Sequence, residues 1–366
     1  MSTLSKETNG RVRAYLSSHY IVDYQGVSWE CTVKGTLKKE QQEVWVGDYV
    51  LLDSLVSETR SARIVHIAPR DNHLSRPKVA NMDQVVIVHP LREPVLELTQ
   101  LDRFLTHARL AGLKALICFT KTDLLASDSE IEETQVHLTR LYHDQLGYSV
   151  LFTSIQHPDA LKNSLIPYLK DHSTVLAGLS GAGKSSLINH LNPNFTLRVE
   201  EVSNKLQRGT HTTRHVELWE VFPNAWIADT PGFSHLRFDF ATRKQIEQTF
   251  TEFSEYRQAC FYNNCLHEEG AEDCGITQNL DQFSTSRLNS YFAFLTEAAG
   301  YEALQKQSSQ KERYGRKSID KKGSETVEIL RLNQKSRHHS RKREKQEVLQ
   351  RGELEEGLIS LEGEQD

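Results

Sequence analysis

No apolar run in this chain is long enough to cross a membrane, and Met1-Ser2-Thr3-Leu4-Ser5-Lys6-Glu7 lacks the apolar centre of a secretory signal. The expectation is a cytoplasmic chain with no membrane partner. Cysteine is scarce, five in 366 residues, and in a reducing compartment that excludes a disulfide framework. Sustained heptads are missing, so nothing argues for more than a monomer. Neither sign of charge dominates: 44 Lys and Arg stand against 49 Asp and Glu, a net −5. That excludes a uniformly basic nucleic-acid binder, but the average hides a segregation of charge along the chain. The length leaves room for two or three domains.

What is present is organised around Gly178-Leu179-Ser180-Gly181-Ala182-Gly183-Lys184-Ser185-Ser186, which fits G-x-x-x-x-G-K-[ST], the P-loop pattern. Thr174 to Ala177 lead in as a strand and Leu187 to Leu191 lead out as a helix, the context the motif requires. Glycines let the backbone approach phosphate, and the helix N-terminus adds positive potential. Lys184 is placed to reach the β- and γ-phosphates, and the Ser185 hydroxyl to ligate Mg²⁺.

Residues 1–70 alternate apolar and polar positions over short runs around Gly10–Tyr15, His19–Val22, Trp29–Val33, Val44–Leu52 and Ala62–Ile67. Short strands without helical period predict an OB-type β-barrel, a fold that binds oligonucleotides or serves structurally; the residues do not choose between these. Residues 71–238 change character. Buried-strand runs at Val85–Val88, Lys114–Phe119, Ser149–Phe152 and Thr174–Ala177 alternate with helical stretches at Leu98–Ala111, Ile131–Gln145 and Ala160–Asp171, predicting a doubly wound α/β domain.

Directly after Phe119 comes Thr120-Lys121-Thr122-Asp123, which resembles the guanine-reading [NT]-K-x-D motif of GTPases, with threonine where asparagine is usual. An aspartate accepts two hydrogen bonds from guanine that adenine does not offer. Thr153-Ser154-Ile155 follows the next strand and resembles the loop whose N–H groups meet the base oxygen. After the P-loop helix, Gly209-Thr210-His211-Thr212-Thr213-Arg214 reads as a mobile loop in which Thr212 or Thr213 coordinates Mg²⁺ and senses the γ-phosphate. Asp229-Thr230-Pro231-Gly232 is D-x-x-G, with Asp229 near Mg²⁺ and the Gly232 N–H on the γ-phosphate. GTPases ordinarily run P-loop, switch threonine, D-x-x-G, then [NT]-K-x-D. Here [NT]-K-x-D comes first, as if the same sheet were cut at another loop. D-x-x-G then becomes the exit from the domain.

Residues 239–300 carry Cys260, Cys265, His267 and Cys274 in the spacing C-x₄-C-x-H-x₆-C. Soft ligands so close together predict a closed Cys₃His zinc site, structural because no coordination position stays open. Cys31 and Cys118 fall in predicted strands and are expected in cores. Arg287–Leu295 reads as a closing helix. Residues 301–366 form a charged tail, basic around Lys311–Lys322 and Arg337–Arg343, then acidic to Asp366, expected to be disordered or helical on a partner. It either follows an RNA backbone or merely solvates the chain.

Together these residues resemble the circularly permuted GTPases of the RsgA family over about residues 8 to 300, through the motif order, Gly209–Thr213, Asp229–Phe233 and the cysteine–histidine cluster. The resemblance implies an N-terminal OB domain, a central permuted GTPase and a C-terminal helical zinc domain. It also implies contact of both flanks with small-subunit ribosomal RNA, and GTP hydrolysis stimulated by that subunit and coupled to release. Phe233 occupies the place after D-x-x-G where many GTPases carry a water-orienting glutamine, so slow hydrolysis alone is expected. His211 is the polar candidate to replace it, and the resemblance points the same way; otherwise it contacts RNA or solvent. The catalytic candidates are thus His211, Lys184 and Thr213. The competing readings are a P-loop kinase or ATPase, an RNA-binding nucleotide switch or scaffold without significant turnover, and a GTPase that steers metal or membrane targets.

Overall fold

Strict alternation near the N-terminus produces strands β1 (Gly10–Leu16), β2 (His19–Tyr24), β3 (Val27–Val33), β4 (Tyr49–Val56) and β5 (Ser61–Ile67), with a short helix α1 (Gly35–Lys39) after β3. In the computed structural model, residues 9–16, 18–40, 42–75, 78–192, 216–229, 236–262, 265–267, 270–313, 317–319 and 325–327 are described. The five strands join in the order β1-β2-β3-β5-β4, and β4 returns to β1, closing a barrel. Strands β3 and β5 run parallel and the other barrel pairs antiparallel. Inward positions Val12, Val22, Trp29, Cys31, Val50, Leu52 and Ile64 fill it. Burial pushes the Cys31 thiol up to about 11, as befits a core residue.

The Val44–Leu52 run does not make one strand. Gly47 stands at φ +91, and a Cβ there would lie 2.1 Å from the Ala80 carbonyl oxygen. The buried Asp48 then accepts the Trp45 N–H at 2.7 Å and pairs with Arg70 at 2.7 Å. That local closure holds the chain in a turn until Tyr49.

A two-stranded sheet, β6 (His73–Ser75) with β7 (Lys78–Ala80), bridges to the second layer system. There β8 (Gln84–Pro90), β9 (Lys114–Thr120), β10 (Ser149–Phe152), β11 (Ser173–Ala177), β12 (Glu217–Phe222) and β13 (Ala225–Asp229) lie in the order β10-β9-β8-β11-β13-β12. All pair parallel except β12 with β13. Each residue of β8 and β11 is buried, which is why both read as continuous apolar runs. Helix α2 (Leu98–Leu110) covers one face with Leu101, Phe104 and Leu105. Helices α4 (Pro158–Leu169) and α5 (Lys184–Leu191) cover the other through Leu161, Leu165, Leu187 and Ile188. The predicted Ile131–Gln145 helix starts earlier, as α3 (Asp128–Leu138) capped by Ser127, and widens into a π-type segment over Thr139–Gln145.

Beyond β13, α6 (Arg243–Thr249) opens with a capping box of Thr242 and Gln245, and α7 (Ser254–Gln258) follows. Helix α8 runs Thr285–Arg313, longer at both ends than the Arg287–Leu295 helix read from the sequence. Phe238, Phe250, Phe253, Tyr291 and Phe294 make a third core that Cys274 joins. The chain divides into two units, Met1–Glu302 and Ala303–Asp366. In the second, β14 (Lys317–Ile319) pairs antiparallel with β15 (Glu325–Val327). Among the described residues, no helix is long and apolar enough to cross a membrane.

Candidate functional site

In the parallel sheet the chain moves outward from β8 through β9 to β10, then returns to start β11 on the other side of β8. Ligands of open α/β sheets bind at the carboxyl ends of strands beside such a reversal. Residues 178–186 leave β11 at that point, and Thr120–Asp123 leave β9, about 10 Å away across β8.

Gly178 has no room for a side chain: a Cβ would lie 2.2 Å from the Val88 carbonyl oxygen of β8. The loop backbone is thereby pressed against the central strand. Gly183 precedes α5 at φ +94, and Lys184 begins that helix. The Lys184 Nζ donates to the carbonyls of Gly178 and Leu179, both at 2.8 Å. It therefore lies folded over its own loop. Ser185 is exposed in the first turn of α5. Loop N–H groups, a helix N-terminus and an ammonium converge on one edge, a set of donors suited to phosphate oxygens.

Thr120 occupies the place where asparagine is usual, and its hydroxyl donates to the Ala182 carbonyl at 2.8 Å. The threonine thus fastens the two loops directly. Lys121 sits at φ +60 and its Nζ donates to the Glu93 carbonyl. Asp123 is exposed, and Ser154 Oγ donates to its Oδ1 while accepting the Gln156 N–H at 3.0 Å. Thr122 N and Oγ1 each lie 3.4 Å from the Thr153 carbonyl oxygen, and Thr153 N donates to Phe119 O at 2.8 Å. The loop after β10 therefore braces the loop after β9, and one carboxylate oxygen of Asp123 is held from behind. Nothing in the sequence beyond the Thr153-Ser154-Ile155 pattern pointed to that brace.

Asp229 ends β13 beside β11, its Cα partner there being Leu176. His211, Thr212, Thr213, Gly232 and Phe233 lie outside the described residues.

The third cluster lies beyond the sheet. The ligand atoms of Cys260, Cys265, His267 and Cys274 all fall within 4.8 Å of one another. Cys260 Sγ is 3.9 Å from Cys274 Sγ, and His267 Nδ1 is 3.6 and 3.4 Å from those two sulfurs. A tetrahedral ion with bonds of about 2.3 Å to sulfur needs ligand separations near 3.8 Å, so the donor set fits zinc. The Gly275 N–H points at Cys260 Sγ from 3.3 Å, the outer contact a thiolate needs. Glu247 Oε1 of α6 is 3.8 Å from the far ring nitrogen of His267. No sequence signal flags Glu247; it arrives through the packing of α6.

Such a sheet defines a P-loop GTPase whose guanine-side motif precedes its phosphate loop, a circularly permuted member of that class. The chain belongs to the RsgA GTPase family: the family model for the RsgA GTPase matches residues 67–239, and that for the RsgA N-terminal domain matches residues 9–61. It is 35% identical to the small ribosomal subunit biogenesis GTPase RsgA of Alkaliphilus metalliredigens over 292 residues, 79% of this chain and 97% of that protein. The Bacillus subtilis protein of the same name is 34% identical, covering 78% of this chain and 95% of that one. Among solved structures, YjeQ from Thermotoga maritima superposes with a TM-score of 0.66 at 26% identity, over 80% of this chain and 99% of that one. YloQ, described as a circularly permuted GTPase, gives 0.64 at 30% identity, over 82% and 98%.

Proposed function

We propose that this chain hydrolyses GTP in the maturation of the small ribosomal subunit, slowly alone and faster on the subunit, with hydrolysis coupled to release. The observation that carries the nucleotide reading is the bond from Thr120 to Ala182. It ties a loop suited to phosphate to a loop ending in an aspartate suited to guanine. The relatives' shared name, small ribosomal subunit biogenesis GTPase, supplies the partner. The barrel and the cysteine–histidine module flank the GTPase domain and are the surfaces offered to ribosomal RNA. A chain acting on ribosomal subunits in this way works in the cytoplasm.

Roles follow from chemistry. Residues 178–186 wrap the phosphates, with Lys184 exchanging its loop carbonyls for β- and γ-oxygens. Asp123 accepts from guanine, and Thr120, Lys121 and Thr122 hold that loop in place. Ser185, Thr212 or Thr213, and Asp229 are the residues to hold Mg²⁺, which when bound neutralises phosphate charge. Thr212 or Thr213, with the Gly232 N–H, senses the γ-phosphate. His211 orients the attacking water, because Phe233 has neither donor nor acceptor. Cys260, Cys265, His267 and Cys274 hold one structural zinc ion.

The test is hydrolysis by the purified chain, alone and with isolated small subunits, with ATP as control. A slow, GTP-specific rate that rises only with the subunit is expected. Equal use of ATP contradicts the role of Asp123. A subunit-independent rate removes the ribosomal part and favours a nucleotide-binding RNA scaffold. His211→Ala should abolish the stimulated rate while leaving GTP binding in place.

A further inference from the structure

Strand β1 belongs to two structures at once. Within the barrel it pairs with β2 and β4, and on its other side it pairs with β12, making one continuous eleven-stranded sheet. Register defines a single row across that sheet. Leu176 of β11 faces Asp229 of β13, Asp229 faces Glu217 of β12, Glu217 faces Ala14 of β1, and Ala14 faces Ile21 of β2. Asp229 is thus two strands from the barrel. In sequence, the β12–β13 hairpin lies between Thr212-Thr213 and Thr230-Pro231-Gly232, and Asp229 is its last residue.

The ladder between β1 and β12 is short, with Ala14 facing Glu217. Side chains extend it. Arg13 Nε donates to the Leu218 carbonyl of β12 at 3.1 Å, and its guanidinium carbon lies 5.6 Å from the Trp219 ring and 5.8 Å from the Trp226 ring. Arg11, two residues earlier, is buried between Tyr49 of the barrel and Trp226 of β13, at 5.2 and 5.3 Å. Its Nη2 donates to Ser173 Oγ, at the start of β11, at 2.8 Å. Arg11 is an anchor at the amino ends of the strands, away from the nucleotide edge. Arg13 sits nearer that edge and is only half buried. The amino end of the joint is therefore anchored by a buried guanidinium, while beside the Ala14–Glu217 pair Arg13 contributes the bond to Leu218 and planar contacts with the tryptophan rings, and its Nη1 donates to Ser28 Oγ of β3 at 3.3 Å.

We propose that Arg13 is a positioning residue through which the barrel and the nucleotide act on each other, by setting where the β12–β13 hairpin holds Asp229. The Arg13–Leu218 bond and the contacts with the tryptophan rings are made to different degrees in the triphosphate and diphosphate states. By linkage, whatever loads the barrel then biases the nucleotide site by the same free energy. The proposal rests on the reading of residues 178–186 and Asp229 as a nucleotide site but not on the ribosomal partner.

Hydrogen exchange of the full chain, bound to GDP and to a non-hydrolysable GTP analogue, tests it without any ribosome. Amides of residues 10–24 are expected to exchange at different rates in the two states. Arg13→Ala should erase that difference while the analogue still binds. Arg13→Lys keeps the charge and the stem but lacks the Nε donor and the planar face, so it should erase the difference too. It also serves if Arg13→Ala fails to fold. Equal exchange in both nucleotide states of the native chain overturns the proposal, as does a difference that survives in either variant. Failure of the native chain to bind either nucleotide overturns this proposal and the nucleotide reading together. Indifference to ribosomal subunits touches only the ribosomal partner.

Discussion

At the scale of single residues, the site is held by hydrogen bonds between its loops, from Thr120 to Ala182 and from Ser154 to Asp123. Ser154 holds Asp123 from behind, so the carboxylate meets a base without first ordering itself. Ser154→Ala should weaken GTP binding by about 1 kcal/mol, roughly fivefold, leaving hydrolysis of bound GTP unchanged. Titration with a fluorescent guanine nucleotide reads the first and single turnover the second. Lys184→Ala should lose nucleotide altogether; unchanged binding would contradict the role given to residues 178–186. Gly178→Ala forces a methyl onto the Val88 carbonyl, so the loop must leave β8. It should lower the melting temperature as well as nucleotide affinity, which separates it from Lys184→Ala. The glycine and lysine positions were legible from spacing alone. The task of Thr120 was not, because a hydroxyl that bridges two loops sixty-two positions apart has no signature along the chain.

At the scale of elements, α2 is the hub. Its Asp102, fully buried, lies 2.5 Å from Arg287 Nη1 of α8 and accepts from Ser290 at 2.6 Å and from Tyr142 at 3.2 Å. Arg287 also reaches Glu252 at 2.6 Å. A buried pair contributes less than its contacts suggest, but removing one partner strands a charge. Arg287→Met should therefore cost about 3–5 kcal/mol in chemical denaturation, and adding Asp102→Leu should recover much of it. Arg103 of α2 donates to Glu297 of α8 at 2.6 Å, and Glu297 accepts the Phe238 N–H at 2.7 Å. Arg103 also donates to the Leu236 carbonyl at 3.3 Å, so Leu236 and Phe238 are held by side chains of α2 and α8.

His107 of α2 stacks on Phe238 at 4.7 Å, and burial, helped by Arg103, lowers its pKa from 6.5 to about 3. The neutral ring is the folded form. Its contribution is whole above the ordinary histidine range and is lost as pH falls from about 6.5 toward 3, up to about 2 kcal/mol at pH 5. Thermal melts from pH 7 to pH 5 should show that decline, and His107→Leu should flatten it. The apolar period of α2 was visible in the sequence. The destination of its buried polar residues was not, because their partners come from α8, from Tyr142 and from residues 236–241.

At the scale of the molecule, the cysteine–histidine cluster and the aromatic core around Tyr291 and Phe294 share Cys274, so an ion bound by the cluster would stabilise that core and be stabilised by it. The purified chain should carry about one zinc ion. Chelation should open residues 243–298 to protease before it affects guanine binding, since the loops at 120–123 and 178–186 belong to other cores. Cys260→Ser should behave like the chelated protein, which metal analysis and limited proteolysis together would check.

Sequence alone determined the chemistry and its order. The phosphate loop, the guanine-type motif ahead of it, the barrel strands and the four metal-ligand candidates are each written in residues close together along the chain, where spacing suffices to read them. Tertiary structure decided how these parts bear on one another. The Val44–Leu52 run turns at Gly47 because a carbonyl from β7 occupies the space of a side chain. Strand β1 joins the barrel to β12 across two hundred residues. Each is a long-range contact, in which free energy gained by burial and pairing outweighs local preference, and no reading of local pattern contains that term.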